Sequence, residues 1–378
     1  MPEKGPHFKV LADVFGHATF RGDQQAVIEW TLEQKHSLVL MPTGMGKSLC
    51  YQIPARIFSG LSGGVTVVLS PLIALMKDQV DAARKNGIRC AFINSSLEKH
   101  ERERAYRELG KGAYELLYVT PERFRKNEFV EALKKNKVSL LAVDEAHCVS
   151  QWGHDFRPDY SRIAEFRELL LNPPTIALTA TATVEVQNDI VRELGLPGPD
   201  LRIFNSGVRR DNLNVSFQDL VGLDQKIQYF ILHRHQNPGP MIVYFSLIET
   251  LEKFSYEISR LNIPHWRYHS RLPSRDRRTV QDQFFKSNDG LILATPAFGL
   301  GIDKQDIRSI VHAEIPGSIE AFYQEIGRAG RDSLPANCLL LYDEDDVSIQ
   351  MDFMKWANPD PGFVRTVYRL IKNNQSRV

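Results

Sequence analysis

The stretch Val138-Ser139-Leu140-Leu141-Ala142-Val143-Asp144-Glu145-Ala146-His147-Cys148-Val149-Ser150-Gln151-Trp152-Gly153-His154-Asp155-Phe156-Arg157-Pro158 decides how the chain is read. Its opening apolar run has the length and make-up of a strand buried on both faces of a parallel sheet. Asp144 and Glu145 then follow that strand's C-terminal end, where open α/β sheets place their ligands. One carboxylate suits a hard Mg²⁺ ion, and the next suits orienting a water toward a phosphate. Two imidazoles, an indole, a phenyl ring and a guanidinium follow at His147, His154, Trp152, Phe156 and Arg157. Flat rings and cations are the groups that hold a single nucleic-acid strand. Taken alone, the same residues also describe a solvated turn with aromatics packed beneath it. The rest of the chain has to decide.

Working outward, strand-length apolar runs recur at 36–41, 65–70, 90–94, 116–120 and 175–179. Amphipathic segments at 75–85, 99–109 and 159–171 lie between them. That alternation predicts a parallel sheet covered by helices on both faces. The run at 36–41 leads into Pro42-Thr43-Gly44-Met45-Gly46-Lys47-Ser48 and then a helical stretch at 49–58. Strand, glycine loop and helix in that order are the context of a P-loop. Backbone N–H groups around Gly44 and Gly46 can wrap phosphates, Lys47 can reach the β and γ groups, and Ser48 can ligate Mg²⁺. Met41 stands where the general consensus has its first glycine.

Hydroxyls recur at other strand ends, in Ser70-Pro71, Thr120-Pro121 and Leu178-Thr179-Ala180-Thr181-Ala182-Thr183. Each by itself fits a helix cap or a turn; their recurrence carries the weight. Upstream, the amide of Gln24 can read the edge of an adenine and Arg21 can sit near phosphates or ring faces. A helix start with an exposed glutamine explains those two residues equally well.

With 43% hydrophobic and 25% charged residues, the 378-residue chain has the composition of a globular protein of two or three domains. A formal net charge of +1 leaves any polyanion site to a local patch. Cys50, Cys90, Cys148 and Cys338 are scattered without Cys-x-x-Cys spacing, so no structural zinc is expected and a reducing compartment fits. No stretch approaches the ~18 apolar residues of a membrane span, and a soluble intracellular protein is expected.

Around 201–214 the apolar rhythm breaks, which predicts a hinge. Strand-like runs then resume at 241–246, 265–269, 290–295, 309–315 and 337–343, with helices at 248–261 and 275–286 and no second Gly-Lys-Ser. Tyr323-Gln324-Glu325-Ile326-Gly327-Arg328-Ala329-Gly330-Arg331-Asp332 places two arginines at a spacing that shares a helical face. Guanidinium groups aimed at a γ-phosphate stabilise the transition state of its transfer. The basic run Arg267, Arg271, Arg275, Arg277 and Arg278 can track a phosphate backbone, while Arg277 and Arg278 equally fit a solvated helix face.

On these residues the chain resembles the RecQ family of superfamily 2 DNA helicases over roughly residues 10–345. The matching stretches are Phe20-Arg21 with Gln24, the 41–48 loop continuing as Leu49-Cys50-Tyr51-Gln52-Ile53-Pro54-Ala55, residues 70–80, Asp144-Glu145-Ala146-His147 and residues 178–182. Met41 is normal for that family. The 148–158 run resembles the aromatic-rich loop that marks RecQ proteins and is absent from DEAD-box and DEAH-box RNA helicases. Gln-x-x-Gly-Arg-x-Gly-Arg at 324–331 and Ala294-Thr295-Pro296-Ala297-Phe298-Gly299-Leu300-Gly301-Ile302-Asp303-Lys304 resemble two further motifs. There is one larger departure: Leu247-Ile248 stand where the family usually carries Ser-Arg.

The resemblance implies two tandem RecA-like domains, each a mostly parallel sheet with helices on both faces, and an ATP cleft between them. It implies a first domain at 1–206, a second at 207–345 and a helical extension at 346–378. Nucleotide contacts are then expected from Arg21, Gln24, Thr43, Gly44, Met45, Gly46, Lys47, Ser48 and Asp303. Ser48 and Asp144 are the expected Mg²⁺ ligands, Glu145 positions the attacking water, Arg331 is the finger and Arg328 a second phosphate contact. Ser70, Trp152, His154, Phe156, Arg157 and Thr295 are expected to bind DNA or report it to the carboxylates. The implied activity is ATP-driven 3′–5′ movement on single-stranded and partial-duplex DNA, by a monomer serving repair or recombination alongside other proteins of those processes. A cytoplasmic, nucleoid-associated setting is implied in a bacterium, a nuclear one in a eukaryote. Four-cysteine zinc and winged-helix modules are not evident, so weak unwinding by this chain alone is expected. Two rivals stand beside this reading. An RNA-dependent ATPase would be activated strictly by RNA, and a binding protein with a vestigial ATPase would show no hydrolysis even with DNA.

Overall fold

The computed structural model describes residues 5–71, 73–150, 157–196, 198–207, 209–299 and 304–375. By internal contacts the chain divides into two compact units that meet between Asp211 and Asn212.

The first unit runs α1 (Pro6–Asp13), α2 (Gln24–Leu32), β1 (His36–Leu40), α3 (Leu49–Ser62), β2 (Val65–Leu69), α4 (Ile73–Lys85), β3 (Cys90–Ile93) and α5 (Lys99–Gly110). It continues through β4 (Leu116–Val119), α6 (Asn127–Lys134), β5 (Val138–Val143), α7 (Ile163–Leu169), β6 (Thr175–Thr179), α8 (Val184–Glu193) and β7 (Leu201–Asn205). Its sheet has the order β3-β4-β2-β5-β6-β1-β7, with parallel pairing throughout the described residues. Side chains alternate between the faces of a strand, and here both faces are buried. Leu38, Val67, Leu69, Leu141 and Val143 join one apolar cluster, while Val39, Val68, Leu140 and Ala142 join the other. Helices on each side supply the partners, among them Phe129, Phe166 and Ile190 for the first cluster and Tyr51, Phe58 and Met76 for the second. The apolar strand runs arise from this double burial.

The second unit runs β8 (Leu213–Asp219), α9 (Gly222–Gln236), β9 (Met241–Tyr244), α10 (Ile248–Arg260), β10 (Trp266–Tyr268), α11 (Ser274–Lys286), β11 (Leu291–Ala294) and β12 (Ser309–His312). It ends with α12 (Ile319–Ile326), β13 (Ala336–Tyr342), α13 (Asp346–Ala357) and α14 (Pro361–Gln375). Its parallel sheet has the order β10-β11-β9-β12-β13-β8. Met241, Val243, Leu293 and Val311 pack with Phe230, Leu251, Phe254 and Ile258 from α9 and α10.

Three sequence expectations are corrected. The break expected at 201–214 is where the chain passes from one unit to the other, and what is corrected is its make-up: it contains β7 and the start of β8, which form one edge of each sheet. Edge strands keep much of their surface in water, and Ile203, Val215 and Phe217 are exposed, so the usual apolar run is missing. The helix expected at 159–171 opens as a 3-10 turn at Tyr160–Arg162 before α7 begins. The helix expected to carry Arg328 and Arg331 on one face ends at Ile326, and both arginines lie in the turns beyond it. Among the described residues no helix is long and apolar enough to cross a membrane.

Candidate active site

Because β1 lies beside β6, and β6 beside β5, the segments that leave those strands are neighbours at one edge of the first sheet. They are the glycine loop after β1, the threonine-rich segment after β6 and the acidic pair after β5. Ser70 leaves β2, the next strand over.

The glycine loop is braced from outside. Gly44 and Gly46 have φ of 85° and 79°, left-handed values that glycine reaches without a Cβ clash. A Cβ at Gly46 would also lie 2.7 Å from Gln24 Nε2. That nitrogen donates to the carbonyls of Met45 (2.8 Å) and Gly46 (3.1 Å), while Gln24 Oε1 accepts from the Arg21 N–H at 2.8 Å. Gln24 is only 2% exposed, so the structure makes it a strut under the loop, and an adenine contact would have to exchange these bonds. Lys47 Nζ donates to the Met41 carbonyl at 3.0 Å, and Met41 itself is fully buried. Ser48 sits at the start of α3 and its carbonyl accepts from the Gln52 N–H.

In the acidic pair Glu145 is strained and Asp144 is buried. Glu145 has φ 49° and ψ 49°, a conformation uncommon for residues other than glycine and concentrated at functional sites. Asp144 Oδ1 accepts the Glu145 N–H at 3.1 Å. Burial first and the Glu145 charge second push the Asp144 carboxyl up to about 7, against the opposing pull of Lys47. A buried carboxyl that Lys47 alone does not hold ionised, together with the Ser48 hydroxyl, is a hard-oxygen donor set that fits Mg²⁺ completed by phosphates and water. Among the described residues no group of three or more His, Cys, Asp or Glu offers an all-protein metal site. His147 is buried and links two of the segments. Its Nδ1 lies 3.0 Å from Thr179 Oγ1 and 3.4 Å from Glu145 Oε2.

Trp152, His154, Phe156 and Asp303 lie outside the described residues. The ends of the aromatic-rich stretch are described. The Arg157 N–H donates to the Cys148 carbonyl at 3.0 Å, and Arg157 Nη1 donates to the Pro71 carbonyl at 2.8 Å. Arg157 thus closes the base of the stretch and ties it to the turn after β2. Ser70 is buried there, its N–H bonded to the Val119 carbonyl.

In the second unit, Thr295 follows β11, 9% exposed, with its N–H bonded to the Tyr268 carbonyl at 3.1 Å. Arg328 donates to the Gly299 carbonyl, and the Tyr244 hydroxyl donates to that of Phe298 at 2.8 Å. Burial holds the Tyr244 hydroxyl well above its usual value, and Arg328 and Arg331 both lie near enough to oppose that shift. Arg328 is thus held at the turn after β11 although no helix carries it.

Comparison with known proteins meets this geometry. The DEAD/DEAH box helicase family matches residues 21–190, and the helicase conserved C-terminal domain matches residues 223–333. The probable ATP-dependent DNA helicase RecS of Bacillus subtilis is 37% identical over 371 residues, covering 98% of this chain and 73% of that protein. The ATP-dependent DNA helicase RecQ of Pasteurella multocida is 41% identical over 346 residues, covering 92% of this chain and 54% of that protein. The chain belongs to the RecQ family of superfamily 2 helicases. It spans about half the length of the curated RecQ relatives that it matches. The helicase MrfA bound to DNA superposes with a TM-score of 0.74 at 17% identity, over 96% of this chain and 55% of that one. Dbp5 of S. cerevisiae bound to RNA and ADP BeF3 gives 0.70 at 14% identity, over 95% of this chain and 92% of that one. These likenesses show the fold, two RecA-like α/β units.

Three site features of this RecQ chain were not singled out from its sequence. His147 was read as a ring for strand binding and as part of a matching motif, not as a link between segments, and Tyr244 only as a strand residue. The third is Glu314, which bonds the backbone just before α10 where Leu247-Ile248 depart from the family pattern. Its Oε2 accepts the N–H groups of Ser246 (2.7 Å) and Leu247 (2.9 Å), which caps α10 with an internal carboxylate only 3% exposed. The signal was an acid directly beyond an apolar strand, the same one that marked Asp144.

Proposed function

We propose that this chain is the motor of an ATP-dependent DNA helicase of RecQ type, which couples Mg²⁺-ATP hydrolysis to 3′–5′ movement on single-stranded DNA. The observation that carries the reading is the strained Glu145, set beside a glycine loop bearing Lys47 and tied through His147 to the segment after β6. Gly44, Met45 and Gly46 present backbone N–H groups to the phosphates, and Thr43 lines the same loop. Lys47 turns from the Met41 carbonyl to the β and γ groups. Ser48 and Asp144 hold Mg²⁺, which when bound neutralises charge on the phosphate oxygens. Glu145 accepts a hydrogen bond from the attacking water and aims it in line. Arg331 meets charge developing on the γ-phosphate and Arg328 adds a second contact. Arg21, Gln24 and Asp303 surround the base and sugar of the nucleotide. Ser70 and Thr295 contact the strand's phosphates. Trp152, His154 and Phe156 sense the strand, and Arg157 carries that signal to the turn after β2. A monomer acting in repair or recombination, in the cytoplasm or in a nucleus, is the proposed setting.

The test is ATP hydrolysis without nucleic acid, with single-stranded DNA and with single-stranded RNA. Stimulation by DNA is expected. Glu145→Gln should keep ATP binding and lose turnover, and Arg331→Ala should lose roughly 10³–10⁵ in turnover. Stimulation by RNA alone would make this an RNA-dependent ATPase. No hydrolysis under any condition would make it a binding protein.

A further inference from the structure

His312 ends β12, an inner strand of the second sheet, and is 1% exposed. Its Nε2 donates to Glu325 Oε2 at 2.8 Å, and that carboxylate is buried with it. Two apolar side chains would join β12 to α12 at less cost than a buried polar pair, so stability alone does not account for the pair. What it fixes is the end of α12. Of the eight residues of that helix only Glu325 and Ile326 are buried, and the Glu325 carbonyl accepts the Arg328 N–H at 3.2 Å. Glu325 is therefore the anchor from which the turn bearing Arg328 departs. The ring of His312 makes a second contact, stacked on Tyr244 with 5.6 Å between centroids and 29° between planes. The Tyr244 hydroxyl donates to the Phe298 carbonyl at 2.8 Å, and the next carbonyl, that of Gly299, is where the Arg328 guanidinium rests. A Cβ at Gly299 would lie 2.8 Å from Arg328 Nη2, so the guanidinium lies directly against that backbone. His312 thus holds the root of Arg328 through Glu325 and its resting place through Tyr244.

We infer that His312 is a positioning residue for Arg328: its bond to Glu325 and its stacking on Tyr244 set where that guanidinium stands when it meets phosphate. The inference rests on the function proposed above, in which Arg328 is a phosphate contact. A group displaced by about 1 Å loses up to roughly 10²-fold in rate. A charge-assisted hydrogen bond is short and directional, so it holds the last turn of α12 where apolar packing alone would let it slide.

The experiment compares the full chain with His312→Ala, His312→Gln, Tyr244→Phe, Arg328→Ala and the double variants His312→Ala/Arg328→Ala and Tyr244→Phe/Arg328→Ala. The kcat and KM for ATP with saturating oligo(dT), the affinity for labelled oligo(dT) and the thermal midpoint are read for each, with assays well below the lowest midpoint. His312→Ala is expected to lower kcat about tenfold or more while KM and oligo(dT) affinity stay within about threefold. His312→Gln, whose amide can still donate to Glu325, should recover a good part of that loss. Tyr244→Phe keeps the ring and removes only the hydroxyl, so it tests the second route without a cavity in the core, and its kcat should fall about threefold at unchanged KM. Neither variant should lower kcat further once Arg328→Ala is present, because each acts through that guanidinium. Wild-type kcat in His312→Ala or in Tyr244→Phe overturns the inference. So does a loss in either double variant equal to the product of the single losses. A parallel loss of kcat, oligo(dT) affinity and thermal midpoint in both single variants also overturns it, and would make the contacts stability elements only. Full kcat in Arg328→Ala removes that phosphate contact from the proposed function and takes the inference with it. A wild type that hydrolyses no ATP with DNA overturns the proposed function itself.

Discussion

Gln24 spends both ends of its amide on the protein, and the loop it braces is the one proposed to wrap phosphates. Gln24→Ala should therefore raise the KM for ATP about tenfold, with a smaller loss of kcat, because the loop loses preorganisation before it loses chemistry. Steady-state kinetics with saturating DNA would check it. Asp144 yields a prediction in pH. Burial and Glu145 keep its proton on until about 7, so at lower pH a proton competes with Mg²⁺ for the same oxygens. The half-saturating Mg²⁺ concentration should rise as pH falls from 8 to 6, approaching one decade per unit. The same shift has a stability sign. The unfolded carboxyl ionises near 3.8 and the folded one higher, so between those values the native state binds the extra proton and its stability declines as pH rises. Lys47, Ser48, Asp144 and Glu145 were legible as a candidate site because each needs its own residue type at its own place. The strut role of Gln24 was not, because an amide's partners depend on what folds beside it.

At the level of elements, α13 is tied to the second unit by a buried ion pair. Lys226 Nζ on α9 meets both Asp346 oxygens, at 2.9 and 2.8 Å, and the Ala313 carbonyl at 2.8 Å. Burial raises the Asp346 carboxyl in spite of that partner, so the pair does not fully offset its own desolvation. Asp346→Ala should cost roughly 3–5 kcal/mol by leaving a buried cation, whereas Lys226→Met with Asp346→Leu should be close to neutral. Chemical denaturation of the variants would separate the two. The inner strands and helices such as α3, α4, α5, α10 and α11 were legible through their apolar runs and periodicity. β7 and β8 were not, since an edge strand with Val215 and Phe217 in water has no buried run to announce it.

For the whole molecule, a net charge of +1 provides no general attraction for polyanions, so DNA affinity must come from local contacts. Arg271, Arg275 and Arg278 are exposed at and just before the start of α11, where cations are unfavourable beside the helix dipole. If they track phosphates, Arg275→Ala/Arg278→Ala should reduce the slope of log affinity against log salt by about 1.4, from ~0.7 per contact on single strands. An unchanged slope would mark them as a solvated face. The parallel α/β class, the glycine loop, the acidic pair and the two arginines were determined by the sequence alone, because each is written in a local pattern of burial or a short motif. Only the tertiary structure decided that β6 lies between β5 and β1, that Gln24 reaches the glycine loop, that Glu314 caps α10 and that His312 meets Glu325. Those are choices between distant segments, set by which strands pair and which buried polar groups must satisfy each other, and no local pattern records them.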